Sequence, residues 1–184
     1  MPKLLLHVCC GPCGIYPITK LTNDYQVVVF YYNPNIHPEE EFAKRKKAMQ
    51  DYCEKNNIQF VEARYDPQEY FQAIKGKEKD KPNRCPLCYR LRLEKTAAYA
   101  KANNFSAFTS TLLISPHQDI ALIKKIGEQL SEKYQVDFYS AEDKESKRKY
   151  KGFRPGFSEG RKKAKEENMY QQHYCGCIFS QNEL

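Results

Sequence analysis

Apolar positions along the chain cluster into five short stretches, at 4–8, 26–32, 58–63, 105–113 and 136–140. The first two are near-continuous runs, Leu-Leu-Leu-His-Val and Gln-Val-Val-Val-Phe-Tyr-Tyr, as expected of strands covered on both faces. Between the stretches the pattern changes to the wider spacing of helices, over 15–23, 38–56, 66–74, 85–103, 115–133 and 158–169. Glu39, Glu40 and Glu41 open the second helix where the dipole favours acids. Ser115 followed by Pro116 has the form of a helix cap for the fifth. Strands that alternate with helices predict a doubly wound, mostly parallel five-stranded α/β sheet of Rossmann-like type. In such a sheet, the ends of the first, second and fourth strands open on one edge, where ligands bind.

The stretch that ends the first strand is unusual. Cys9-Cys10-Gly11-Pro12-Cys13-Gly14 forms a tight turn into a helix, where nucleotide-binding proteins keep a glycine-rich phosphate loop. Three thiols in that place point to soft-metal or redox chemistry.

Composition narrows the picture. The 184 residues form a single α/β domain over 1–184, with a Lys-rich linker and a Cys-x-x-Cys helix start at 75–95 and a basic segment ending in Cys-Gly-Cys at 144–184. No run approaches the eighteen apolar residues of a membrane span, and the start lacks a secretory signal's apolar region, so a cytoplasmic protein is expected. Eight cysteines in such a pattern suit metal or redox roles better than a disulfide scaffold. The net charge of +7 is uneven. Ten Lys and Arg lie between Lys144 and Lys165, and a second basic stretch runs through Lys75, Lys77, Lys79, Lys81, Arg84, Arg90 and Arg92. A solvated surface is the plain alternative, but two runs flanking cysteine pairs raise the case for a polyanionic partner.

Cys9, Cys10, Cys85 and Cys88 form the first chemical constellation. Cysteines three apart at a helix start aim both sulfurs at one metal, and the turn swings Cys9 and Cys10 to one side. Four thiolates suit zinc or an iron–sulfur cluster. The position at the sheet's ligand edge and the spare thiols favour iron–sulfur, because a structural zinc needs neither. Cys175-Gly176-Cys177 is the second constellation: a bridge across one residue would be strained and easily reduced, which suits a two-electron relay, while a pair of further metal ligands is the other reading. Cys13 is left as an iron ligand, a thiol near substrate or a packing residue, and Cys53 reads as a small buried residue. His7 reads as a core histidine, whereas His37, His117 and Asp119 face the active edge as candidate proton donors.

Five blocks occur in order: His7 to Cys13, Tyr32 to Pro38, Arg84 to Arg92, Thr111 to His117 and Tyr174 to Cys177. Together they resemble the QueH-type epoxyqueuosine reductase family. The resemblance implies a [4Fe-4S] cluster on Cys9, Cys10, Cys85 and Cys88, and a redox-active pair at Cys175 and Cys177. It implies a sheet akin to the nucleotide-binding α/β hydrolase-like folds with a cysteine turn in place of the phosphate loop, and hence no ATP. The implied reaction is reduction of epoxyqueuosine to queuosine in the anticodon loop of tRNA, without cobalamin. One cluster passes electrons singly, so a second store is required: an additional iron ion near Cys13, or the Cys175–Cys177 dithiol. An electron donor that no motif identifies completes the partners. The rivals are a cluster-dependent tRNA sulfur-transfer enzyme, which would need ATP, and a zinc-stabilised RNA-binding module without catalysis.

Overall fold

A computed structural model describes residues 1–141 and 153–181. Five parallel strands, β1 (Lys3–His7), β2 (Gln26–Tyr31), β3 (Gln59–Glu62), β4 (Ala107–Ser110) and β5 (Asp137–Phe138), pair in the order β3-β2-β1-β4-β5. The helices are α1 (Gly11–Leu21), α2 (Glu39–Lys55), α3 (Pro67–Ala73), α4 (Lys81–Ala102), α5 (Ile120–Tyr134) and α6 (Phe157–Glu166). One layer packs α1 with α2 and α6; α4 and α5 pack together and meet the β4–β5 side. Leu4, Leu5 and Leu6 are wholly buried in the central strand. Covering each such side chain stabilises the fold by about 1.5–3 kcal/mol.

The chain runs from β1 to β2 and β3 on one side, then crosses to β4 on the other. The direction of winding therefore reverses between β1 and β4. The crevice at that reversal is where open α/β sheets bind ligands. The cysteine turn sits there.

Several boundaries differ from the sequence expectation, each for a local reason. Helix α1 begins at Gly11, not near residue 15: Cys10 is extended, and Pro12 occupies the first turn, where a missing N–H costs nothing. The fourth strand stops at Ser110, whose hydroxyl accepts from Leu112 N at 3.1 Å and turns Thr111–Leu113 into a 3-10 turn. Ser115 does not cap α5. It holds His117 N in a preceding turn, and Asp119 caps the helix by accepting from Leu122 N at 3.0 Å. The expected linker at 75–83 gives way at Asp80, which caps α4 through Asn83 N. The cysteine pair thus lies past the first turn of α4 and not at its start, beyond the short reach of the helix dipole.

The basic stretches are also corrected in part. Arg84 and Arg92 are buried, each 1% exposed, so they belong to the interior and not to a charged surface. The expected basic residues Lys144, Lys147, Arg148, Lys149 and Lys151 lie outside the described residues. Among the described residues no helix is long and apolar enough to cross a membrane.

Candidate functional site

At the carboxyl end of β1 the chain delivers three thiols into the crevice. The ligand atoms of Cys9, Cys10 and Cys13 all lie within 4.8 Å of one another. Cys10 is the residue before α1 and Cys13 lies in its first turn, so the unbonded N–H groups of the helix start are close to sulfur. Thr111, at the end of the neighbouring strand, bonds Cys9 twice: its Oγ1 accepts from Cys9 N at 3.3 Å and lies 3.5 Å from Cys9 Sγ. Asn33, in the loop after β2, donates to Val8 O at 2.8 Å and fixes the turn from the other side. Hydrogen bonds from Cys10 and Cys13 hold the Cys9 thiol well below its ordinary pKa, whereas burial holds Cys10 well above it.

These sulfurs open on a cavity of about 510 Å³. Cys9 and Cys13 line it from the β1 side, Cys85 from α4, and Cys175 and Cys177 from the C-terminal segment. Cys88, one turn beyond Cys85, is buried beside Tyr70, Ile74 and Cys177, and burial pushes its thiol up to about 12. All eight cysteines are free thiols. Among the described residues the trio Cys9, Cys10 and Cys13 is thus gathered within ligand distance, while of the α4 pair Cys85 lines the hollow and Cys88 lies buried behind it. Cys53 is 1% exposed inside α2, away from this group, and burial raises it to about 12. It is an inert packing residue.

The C-terminal segment is clamped to the rim. Buried Arg45 donates from Nη2 to Tyr174 O at 3.0 Å and from Nη1 to Cys175 O at 3.1 Å, while its Nε bonds Glu41 Oε1 at 2.7 Å. His37 N donates to Gly176 O at 2.8 Å, and the Tyr174 hydroxyl returns a bond to His37 O. Gly176 has φ +122°, a conformation that side chains rarely adopt, and a Cβ there would lie 3.0 Å from Ile36 Cγ1. Gln172 Nε2 donates to Cys10 Sγ at 2.9 Å. The last cysteines thus reach the first ones through a short chain of directed contacts.

The candidate acids separate by position. His117 and Asp119 line the cavity, the latter with a carboxylate oxygen committed to the α5 cap. His37 is not among the lining side chains. Its Nδ1 faces Asn35 O at 2.8 Å, Nε2 is buried without a partner, and burial lowers its pKa, so the ring is turned into the protein and not toward the cavity. His7 is a satisfied core histidine, bonded to Ser110 Oγ and Tyr32 O, with burial lowering its pKa to about 4.

Sequence reading passed over Arg45, Gln172 and the interior place of Arg92. The signal for the two arginines was present. Arg45 lies on the stripe Phe42, Met49, Tyr52 and Cys53 of α2, and Arg92 on the stripe Cys88, Tyr89, Leu93 and Thr96 of α4.

The profile of the family described as epoxyqueuosine reductase QueH matches residues 4–183. The chain belongs to the epoxyqueuosine reductase QueH family. With that family it is an oxidoreductase. A protein named Epoxyqueuosine reductase QueH from Histophilus somni (strain 129Pt) is 38% identical over 183 residues, covering 97% of this chain and 72% of the relative. Its namesake from Streptococcus pyogenes serotype M1 is 32% identical over 187 residues, covering 97% and 70%. The Thermotoga maritima relative of the same name is 33% identical over 187 residues, covering 98% of this chain and 91% of its own length.

Proposed function

We propose that this QueH-family protein reduces epoxyqueuosine to queuosine in tRNA, at an iron–sulfur centre seated in the cysteine-lined cavity. The observation that carries the reading is the convergence of Cys9, Cys10 and Cys13 within 4.8 Å at the sheet's reversal point, on a cavity also lined by Cys85, Cys175 and Cys177. The residues fit such a centre: thiolate ligands are what soft iron sites require, and a buried guanidinium, Arg92, stands in the same cavity wall. Cys9, Cys10, Cys85 and Cys88 would hold the cluster, which would supply single electrons when bound. Cys13, within 4.8 Å of Cys9 and Cys10, would be a ligand for an additional iron ion.

Removing an epoxide oxygen consumes two electrons and two protons and releases water, leaving a carbon–carbon double bond. The chain's own residues support the remaining steps. His117, exposed on the cavity wall, would carry a proton to the leaving oxygen, since Asp119 is engaged in its cap and His37 is walled off. Cys175 and Cys177 would store the electron pair: oxidation of the dithiol to a disulfide yields two electrons and two protons, and the outside donor then restores it. The Arg45 and His37 bonds keep that pair over the cavity. Cysteines stand where a glycine-rich phosphate loop would lie, and on this reading the reaction would need no ATP. Basic side chains near the mouth, Arg161 and Lys81 among them, would meet the anticodon-loop phosphates, and unstacked loop bases are accessible to such a hollow.

Incubating anaerobically reconstituted protein with epoxyqueuosine-containing tRNA and a low-potential reductant tests this directly. Appearance of queuosine in the digested tRNA is expected, and retention of the epoxide by iron-loaded protein would overturn it.

A further inference from the structure

Arg92 carries a charge that no carboxylate answers. It is 1% exposed, like Arg45, yet the two are treated differently by the fold. Arg45 has Glu41 at 2.7 Å. Arg92 has one bond, from Nε to Cys88 O at 3.3 Å, and its Nη2 is buried with no partner. Among the described residues it forms no ion pair. An isolated buried cation is strongly disfavoured, so a fold that keeps one needs negative charge near it.

The surroundings of Arg92 consist mainly of sulfur. It lines the same cavity as Cys9, Cys85, Cys175 and Cys177, and sits one helical turn from Cys88. Burial works against its charge, and the sulfurs of Cys88, Cys175 and Cys9, from three separate parts of the chain, favour it. Thiols in their neutral form leave the cation uncompensated. A sulfur-ligated centre, with its net negative charge, supplies what is missing.

We propose that Arg92 is a positioning residue whose fixed positive charge compensates the sulfur centre and sets its reduction potential. The inference rests on the iron–sulfur reading and deepens it. A centre that accepts an electron becomes more negative, and a buried cation beside it favours the reduced form more than the oxidised one. Neutralising the cation therefore moves the potential downward and makes the centre harder to reduce.

The test compares anaerobic holoprotein of the wild type with Arg92→Gln, Arg92→Met and Arg92→Lys. Each is titrated with dithionite and redox mediators, with visible absorbance and electron paramagnetic resonance as readouts and iron and sulfide measured per chain. The neutral variants should shift the reduction equilibrium at least tenfold against the reduced form, a fall of 59 mV for one electron. Arg92→Lys should stay nearer the wild type than either. Loss of iron from both neutral variants, with retention in Arg92→Lys, would support the same role, since charge and not shape would then decide. Iron-loaded neutral variants with an unchanged potential would overturn the proposal, and so would loss of iron from all three. A wild type that binds no iron would instead overturn the reading beneath it, which is a separate result.

Discussion

Cys175 and Cys177 are one residue apart, yet the first is exposed and the second is 6% exposed. Gly176, with its positive φ, turns the chain between them, and both line one cavity. An outer and an inner thiol suit the transfer of electrons from an external donor inward. Replacing either cysteine by serine should leave iron and visible absorbance unchanged while turnover falls by roughly two orders of magnitude; loss of the absorbance would make them metal ligands. The two candidate acids on the wall also part company. His117→Gln should lower turnover by about 10²-fold or more with iron retained. Asp119→Asn keeps a capping side chain and should change turnover little, whereas Asp119→Ala should cost stability by about 1 kcal/mol, read from chemical denaturation.

At the scale of elements, the strands and helices were largely legible because hydrophobic pattern decides them. The run at 4–8, apolar but for His7, was read as a covered strand, and β1 (Lys3–His7) is one, buried from Leu4 onward. What escaped was set by individual polar contacts that hydrophobic pattern does not register. Ser115 and Asp119 both look like caps, and only the backbone around each shows which one reaches a helical N–H. The cysteine pair at 85 and 88 looked like a helix start because Asp80 and Pro82 were read as linker. The arginines at 45, 84 and 92 resembled their surface neighbours, and pattern alone marks them only by their place on apolar stripes. Arg45 shows what such a residue does. It joins α2 to the last cysteines through two backbone carbonyls and leaves Glu41 buried if removed. Arg45→Leu should destabilise the protein by about 3–5 kcal/mol in a denaturant titration, the cost of an uncompensated buried carboxylate, and should loosen residues 174–177 in amide exchange.

At the scale of the whole molecule, one edge of the sheet gathers what the sequence scatters. Segments around residues 9, 85, 111 and 175 meet where the winding reverses, within the span 4–183 that matches the QueH family. The basic face is narrower than its lysine and arginine count suggests, since Arg84 and Arg92 are buried; Arg161 lines the cavity, and Lys162, Lys163 and Lys165 are exposed on the same helix α6. tRNA affinity should fall steeply with added salt, with a log–log slope of roughly −0.7 for each single-stranded phosphate contact, and Arg161→Ala should reduce that slope. A flat salt response would remove the basic face from recognition.

The claim that thiols at this edge hold an iron–sulfur centre is tested most directly by the metal that the protein carries when purified without oxygen. Iron and acid-labile sulfide in near-equal amounts, with a brown absorbance lost in Cys9→Ser or Cys85→Ser, is the predicted result. A colourless protein with stoichiometric zinc and no sulfide would contradict it.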